Sequence, residues 1–197
     1  ASTIALAAVR AVLDIPIVGT VPAIKPAAEI SVTRTIGLLG TAATIRQAYV
    51  DNLQAEFAAD CTLLRHADGR LVAAAEAKLA GDPVDPAIFD DAIAGMAEQP
   101  GGKEIDVIIL ACTHFPLLKD ELAAAASRAG LSDTLRFIDG ADGIARRIAF
   151  RSEGRSWPST PVATFVTTGP VPNGGSARQA LEKRGFTQFE ALGHPAA

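Results

Sequence analysis

The segment Cys112-Thr113-His114 brings a thiol, a hydroxyl and an imidazole together in three consecutive residues. A thiolate can act as a base, and an imidazole can supply or relay a proton near neutral pH. The segment follows the apolar run 105–111 and precedes Pro116, which predicts a position between a strand and a helix. The free amides at such a helix start favour a thiolate. Because free cysteines are often buried and inert, local sequence leaves a catalytic and a structural Cys112 equally open.

Two further positions have side chains that suit a site. The segment 40–44 (Gly-Thr-Ala-Ala-Thr) predicts a second turn from strand to helix, where the hydroxyls of Thr41 and Thr44 and free backbone amides would suit a carboxylate. On local sequence alone, ordinary capping of the helix by Thr44 is the favoured interpretation. Glu76 lies on an alanine-rich predicted helix, where an acid is usually solvated. Cys61, the second cysteine, is interpreted as a packed structural thiol.

The elements that position these residues alternate between strands and helices. The run 105–111 lacks polar alternation, which is typical of a parallel strand covered on both faces. The alternation predicts an α/β fold with a mainly parallel sheet, in which ligands bind outside the carboxyl ends of the strands. Short apolar runs predict strands at 15–21, 36–40, 105–111, 135–139 and 162–168. Apolar spacing of three and four residues predicts helices at 2–13, 22–32, 45–53, 71–79, 85–98, 115–128, 140–150 and 176–183.

Composition excludes several classes of protein. The 197 residues are 49% hydrophobic and 20% charged, which is globular, and the net charge is -4 without a basic cluster. We therefore expect no nucleic-acid partner. No apolar run approaches the ~18 residues that span a bilayer, so no membrane association is expected. The absence of a charged leader argues against a signal peptide, and two distant cysteines fit a reducing cytoplasm rather than a disulfide framework.

The sequence shows no motif for a cofactor or a metal. It contains no glycine-rich dinucleotide fingerprint, no phosphate loop and no metal-ligand cluster. His66 stands in a predicted turn without a second ligand pair. We therefore expect no cofactor and no metal.

Several segments, in their order along the chain, resemble glutamate racemases of the aspartate/glutamate racemase family. The most specific is the Cys-Thr-His-Phe-Pro segment that begins at Cys112. The similarity extends from the first residue to about Leu192. The matching segments are Val18–Ala28, Gly37–Arg46, Leu71–Glu76, Ile109–Leu118, Phe137–Asp139 and Phe165–Pro170.

The resemblance implies cofactor-independent interconversion of L- and D-glutamate, which supplies D-glutamate for peptidoglycan. In this family one cysteine stands on each face of the α-carbon; one thiolate removes the proton and the opposite thiol returns one. The resemblance places the second of these cysteines at Cys112 and moves its interpretation toward catalysis. It implies glutamate as the small-molecule partner. A homodimer is left open.

The other candidate residues receive their roles from the same resemblance. Thr113 and His114 match the family's substrate-contacting and proton-assisting pair. Thr41 and Thr44 match its threonine turn near the substrate carboxylate, although the family more often has glycine where Ala43 stands. Glu76 matches an acid that assists in the site, at a longer spacing from Cys61. The catalytic candidates are thus Cys112, His114 and Glu76, and the substrate-binding candidates are Thr113, His114, Thr41 and Thr44.

The resemblance also implies two similar three-layer sandwich domains with mainly parallel sheets. We expect residues 22–136 to form the second domain and residues 1–21 and 137–197 to be the remnant of an incomplete first domain. The family's first cysteine lies in Cys-Asn-Thr-Ala-Ser, and only Ala1-Ser2 correspond to that motif here. We therefore expect an N-terminally truncated chain that is inactive alone. A related aspartate or hydantoin racemase and a degenerate, non-catalytic amino-acid-binding protein remain the alternatives.

Overall fold

The computed structural model describes residues 2–156 and 158–193. Its α-helices are α1 (Ser2–Val12), α2 (Ile24–Ile30), α3 (Ala42–Ile45), α4 (Ala48–Phe57), α5 (Arg70–Ala80), α6 (Ala87–Ala97), α7 (Lys119–Arg128), α8 (Ala141–Arg151) and α9 (Gly175–Glu182). Its strands are β1 (Thr35–Gly40), β2 (Thr62–Ala67), β3 (Val107–Leu110), β4 (Arg136–Ile138), β5 (Thr164–Thr167) and β6 (Gln188–Ala191). Short 3₁₀ turns lie at Gly102–Glu104 and Phe115–Leu118.

The described residues form two compact units. The first comprises residues 2–75 and 85–153, and the second comprises 76–84, 154–156 and 158–193. The division into domains at residues 21–22 and 136–137 stays a prediction, and its outermost positions, Ala1 and 194–197, lie outside the described residues together with Trp157.

A four-stranded parallel sheet in the order β2-β1-β3-β4 forms the centre of the first unit. β1 is an inner strand whose six residues are all buried, and β3 is buried along its whole length. In the register, Ile36 pairs with Val107 and Leu39 with Leu110. All four strands run in the same direction, so their carboxyl ends meet at one edge of the sheet.

Helices cover both faces of this sheet. On one face, Ile36, Leu38 and Ile109 pack with Ile24 of α2 and Val50 of α4 in a single buried cluster. On the other face, α6 packs so closely that a Cβ added at Gly37 would lie 3.1 Å from the sulfur of Met96. The buried strands therefore carry apolar residues at consecutive positions, which explains the missing alternation in the sequence. The predicted α/β class with a parallel sheet is confirmed.

A buried acid joins the amino end of β3 to the segment before β1. Asp106 is 8% exposed, and its Oδ1 accepts a hydrogen bond of 2.7 Å from the hydroxyl of Ser31. Its Oδ2 accepts the backbone N–H groups of Val32 at 2.6 Å and Thr33 at 2.9 Å. Burial alone would raise the pKa of Asp106, but the bonds from Ser31, Thr33 and Val32 outweigh it and hold the pKa below its usual value. Asp106 is therefore ionised, and its hydrogen bonds connect the start of β3 to the segment before β1.

The second unit contains a parallel pair of strands, β5 and β6, with α9 between them in the chain. The ring of Phe165 lies 5.9 Å from the rings of Phe186 and Phe189, measured between centroids. The guanidinium of Arg178 on α9 lies 4.0 Å from the centroid of the Phe189 ring. The aromatic contacts join β5 to the segment that contains β6, and the cation–π contact joins α9 to β6.

The sequence predictions of secondary structure differ from the structure at several positions, and they include no strand at β6. Residues 15–21 do not form a strand, because Pro16 has no N–H to donate to a ladder and no described strand pairs with the run. The strand β2 was not predicted, because polar residues such as Arg65 and His66 interrupt its apolar pattern. As an edge strand, β2 is only partly buried and therefore tolerates these side chains. The predicted helix 115–128 begins with a 3₁₀ turn at Phe115–Leu118 before α7.

Candidate active site

A cavity of about 590 Å³ opens at the carboxyl edge of the parallel sheet. Residues that directly follow β1, β3 and β4 line it, as expected for ligand sites in open α/β sheets. No lysine or arginine is among the described residues that line it. The lining consists of Thr20, Val21, Pro22, Thr41, Ala43, Thr44, Gln47, Tyr49, Val72, Leu110, Ala111, Cys112, Thr113, His114, Pro116, Asp139, Gly140, Ala141 and Ile144.

Cys112 lies two residues beyond the end of β3. The ladder continues to Ala111, whose N–H donates to the carbonyl of Leu39 at 2.8 Å, and the chain then leaves the sheet at the cavity. The Cys112 Sγ lies 3.7 Å from Nδ1 of His114, within hydrogen-bond range for sulfur. Both side chains are half-buried, whereas Thr113 is exposed at the cavity rim. The thiol can therefore reach a ligand in the cavity and exchange a proton with an imidazole.

The threonine turn forms the second wall of the cavity. β1 ends at Gly40, and the hydroxyl oxygens of Thr41 and Thr44 then approach to 3.2 Å. Thr44 lies inside α3, and Thr41 occupies the position before it without a capping bond from its side chain. The expectation that Thr44 caps the helix is therefore wrong, because its hydroxyl pairs with Thr41 instead. Both threonines line the cavity.

The structure thus brings five of the six predicted site residues to one cavity: Cys112, Thr113, His114, Thr41 and Thr44. Glu76 is an exposed residue of α5 that belongs to the second unit. Its participation stays a prediction.

Cys61 lies at the opposite edge of the sheet from Cys112. Cys61 directly precedes β2, whereas Cys112 follows β3, and the register of the strands separates the two by roughly 20 Å. Burial raises the pKa of the Cys61 thiol, and the carboxylate of Asp60, 3.7 Å from its Sγ, adds to this effect. Cys61 is therefore a packed, protonated thiol, as expected from the sequence.

Sequence reasoning missed cavity residues beyond the two motifs. Asp139 directly follows β4 and lines the cavity, where its Oδ1 accepts the N–H of Ala141 at 2.7 Å. The rule that located Cys112, a polar residue after a buried strand, would also have located Asp139. Gln47 lines the cavity from the connection between α3 and α4, Tyr49 lines it from the first turn of α4, and no sequence pattern marks either residue.

The two cysteines should differ in reactivity. We expect iodoacetamide at pH 7.5 to alkylate Cys112 at least about tenfold faster than Cys61, since Cys61 is buried and its pKa is raised. Mass spectrometry of tryptic peptides over time would measure both rates. As a control, both thiols should react at similar rates in 6 M guanidinium chloride. Equal rates in the folded protein would contradict the placement of Cys112 at an accessible cavity.

The described residues offer neither a metal-ligand group nor a membrane-spanning helix. Among residues 2–156 and 158–193, no group of three or more His, Cys, Asp or Glu side chains is arranged to hold a metal ion. No helix in the described part of the chain is both long and apolar enough to cross a bilayer.

Comparison with known proteins identifies a family to which this chain is similar. A family model for Asp/Glu/hydantoin racemases matches residues 1–148. A glutamate racemase of Sphingopyxis alaskensis is 58% identical over 162 residues, which cover 82% of this chain and 59% of that protein. A glutamate racemase of Haemophilus influenzae is 37% identical over 98% of this chain and 69% of its own length. The chain thus spans 59% to 69% of the length of these two relatives.

The fold is also similar to that of a solved glutamate racemase structure. Escherichia coli glutamate racemase, crystallised with L-glutamate and the activator UDP-MurNAc-ala, superposes with a TM-score of 0.84 at 33% identity. The alignment covers 100% of this chain and 72% of that one. The similarities in sequence and in fold therefore both lead to glutamate racemases.

Proposed function

The chain belongs to the Asp/Glu/hydantoin racemase family, and we propose that it is part of a glutamate racemase that works without a cofactor. The observation that supports this most strongly is the half-buried Cys112 at the cavity, with the His114 ring 3.7 Å from its sulfur. The curated relatives are named glutamate racemases, which favours glutamate over aspartate or a hydantoin. The product D-glutamate would serve peptidoglycan synthesis.

The proposed reaction breaks the bond between the α-carbon and its hydrogen. Cys112 as thiolate takes the proton from one face, which forms an S–H bond and leaves the electron pair on the α-carbon. A second acid on the opposite face then donates a proton, and the configuration is inverted. In the reverse direction Cys112, as thiol, donates. His114 lies close enough to the sulfur to accept or return its proton between turnovers.

The part of the cavity that this chain forms offers neutral donors to the substrate carboxylates. No lysine or arginine is among the described residues that line the cavity, so this chain's contribution to binding the anionic substrate would come from hydroxyl and amide groups. Thr41 and Thr44 provide two hydroxyls on one wall, and Thr113 provides another at the rim beside the thiol. Hydrogen bonds that strengthen as charge moves toward the α-carboxylate would stabilise the carbanion.

Two features of this proposal concern the whole protein. Both cysteines are free in the structure, and a reducing cytoplasm would keep them so. A homodimer stays a prediction, which sedimentation of the full gene product would test.

The direct test of the function is α-proton exchange in D2O, followed by NMR. The full gene product, dialysed against EDTA and assayed without added cofactor, should exchange and racemise both enantiomers of glutamate. Aspartate should react far more slowly. Turnover of aspartate alone would identify a sister racemase, and binding of an amino acid without exchange would identify a non-catalytic protein.

The 197-residue chain taken alone is expected not to racemise. Its sequence holds only two cysteines, and Cys61 lies at the opposite edge of the sheet from the cavity. A two-base reaction therefore lacks its second thiol. Polarimetry of L-glutamate incubated with the purified chain should show no change over hours. Racemisation by this chain would show that another group supplies the second proton.

Replacing His114 by asparagine should lower kcat about 100-fold while the protein remains folded. The amide occupies a similar volume but cannot take up a proton from Cys112. The pH dependence of kcat should change as well, since an ionisable group is lost. The control is His66→Asn, because His66 packs against α6 at Gly95 and does not line the cavity. An unchanged pH profile in the His114 variant would contradict a proton-transfer role.

A further inference from the structure

Asp68 is a buried acid at the carboxyl edge of the sheet that the proposed reaction does not use. It directly follows β2 and is 5% exposed. Its backbone N–H donates to the carbonyl of Gly40 at 3.1 Å. The hydrogen bonding between β1 and β2 therefore extends to Gly40, the last residue before the threonine turn.

The carboxylate of Asp68 is held by one residue, Arg70. Oδ1 accepts the backbone N–H of Arg70 at 2.9 Å and its Nε at 3.0 Å. Oδ2 accepts a hydrogen bond of 2.6 Å from Nη2 of Arg70. The backbone bond satisfies an amide at the start of α5, and the guanidinium encloses the carboxylate. Arg70 Nη1 also bonds Oδ2 of Asp91 on α6 at 2.9 Å.

These bonds fix Asp68 in its charged form. Burial alone would raise the pKa of Asp68, yet the side-chain and backbone bonds and the charge of Arg70, with a smaller contribution from His66, hold the pKa below its usual value. The start of α5 is therefore bonded to a buried, ionised carboxylate through both the backbone and the side chain of Arg70.

We propose that Asp68 is a positioning residue, which through Arg70 fixes the first turn of α5 against the end of β1 and so holds Val72 in the cavity wall. Val72 lies two residues after Arg70 and lines the cavity, as do Thr41 and Thr44 at the end of β1. Asp68 is bonded to both sides: to Gly40 through its N–H and to α5 through its carboxylate. This inference rests on the proposed function, since the position of Val72 affects activity only through the substrate that the cavity binds.

Kinetics of the full gene product provide the first test. Asp68→Ala should raise KM for glutamate about tenfold and change kcat less than about threefold, because the wall moves while Cys112 stays in place. Asp68→Asn should recover part of the loss, since its amide oxygen can still accept the Arg70 N–H. The matched control is Asp90→Asn, which removes a surface ion pair with Arg128 between α6 and α7 and should leave KM unchanged. An unchanged KM in folded Asp68→Ala would overturn the proposal.

Hydrogen exchange provides a second test that does not depend on turnover. Backbone amides at 71–74 should exchange at least about fivefold faster in Asp68→Asn than in Asp90→Asn, and about tenfold faster in Asp68→Ala if that variant folds. Equal exchange in Asp68→Asn and the control would overturn the proposal. If the unmodified protein does not turn over glutamate, the proposed function fails, and the exchange at 71–74 alone decides the role of Asp68.

Discussion

Replacing Cys112 by serine should lower kcat for racemisation about 10³-fold in both directions. A serine hydroxyl is a far weaker acid than a thiol, so it neither forms a base near neutral pH nor returns a proton readily. The position is otherwise suited to the change, because the side chain is half-buried at a cavity and the substitution is close to isosteric. The protein should therefore fold normally, and the loss should fall on catalysis.

The measurement is α-proton exchange and optical rotation on the full gene product, starting from each enantiomer. In a two-base site each enantiomer relies on a different base to remove its proton. The Cys112→Ser variant should therefore keep some exchange for one enantiomer while racemisation is lost for both. The matched control is Cys61→Ala, which removes the buried thiol at the opposite sheet edge and should retain activity. Racemisation at the original rate in Cys112→Ser would show that Cys112 only packs.

Replacing Asp106 by alanine should lower the free energy of unfolding by about 3 kcal/mol at pH 7. The change removes the carboxylate and leaves the N–H groups of Val32 and Thr33 and the hydroxyl of Ser31 without their acceptor. Asp106→Asn should cost less, since one oxygen remains. Urea unfolding followed by circular dichroism would measure both, with Asp133→Asn in an exposed loop as the control.

The effect of Asp106 should depend on pH with a defined sign. The pKa of Asp106 is lowered in the folded protein from its usual 3.8. Its contribution is therefore complete above the unfolded pKa and is lost as the pH falls below about 4 through the folded pKa. The difference between the original protein and Asp106→Asn should shrink over that range. A difference that is already absent at pH 7, or one that grows on acidification, would contradict the connection that the structure shows.

The location of the site could be predicted because it depends on local sequence. The continuous apolar run before Cys112 identified a buried parallel strand, and the residue after such a strand lies at the ligand edge. The same reasoning applied to β1 and found Thr41 and Thr44. The role of Cys112, by contrast, came from the resemblance, since the local sequence fitted an inert thiol equally well.

The parts that could not be predicted depend on contacts between distant segments. Asp106 is the single polar residue of the apolar run 105–111, and its bond to Ser31 spans 75 positions of sequence. β2 is polar because Arg65 bonds Asp51 of α4 and His66 packs on Gly95 of α6. Neither partner is visible in the period of the strand itself. Tertiary contacts thus override the local pattern at the edge of the sheet.

The strand order β2-β1-β3-β4 has a consequence for synthesis of the protein. When the ribosome has released β1 and β2, residues 68–106 must still emerge before β3 can pair with β1. During that interval β1, a mostly apolar strand that is fully buried in the folded protein, is an open edge with unpaired backbone groups and can pair with other chains. Aggregation of nascent chains should therefore be greatest for truncations that end between β2 and β3, and a holdase that binds extended apolar segments should suppress it.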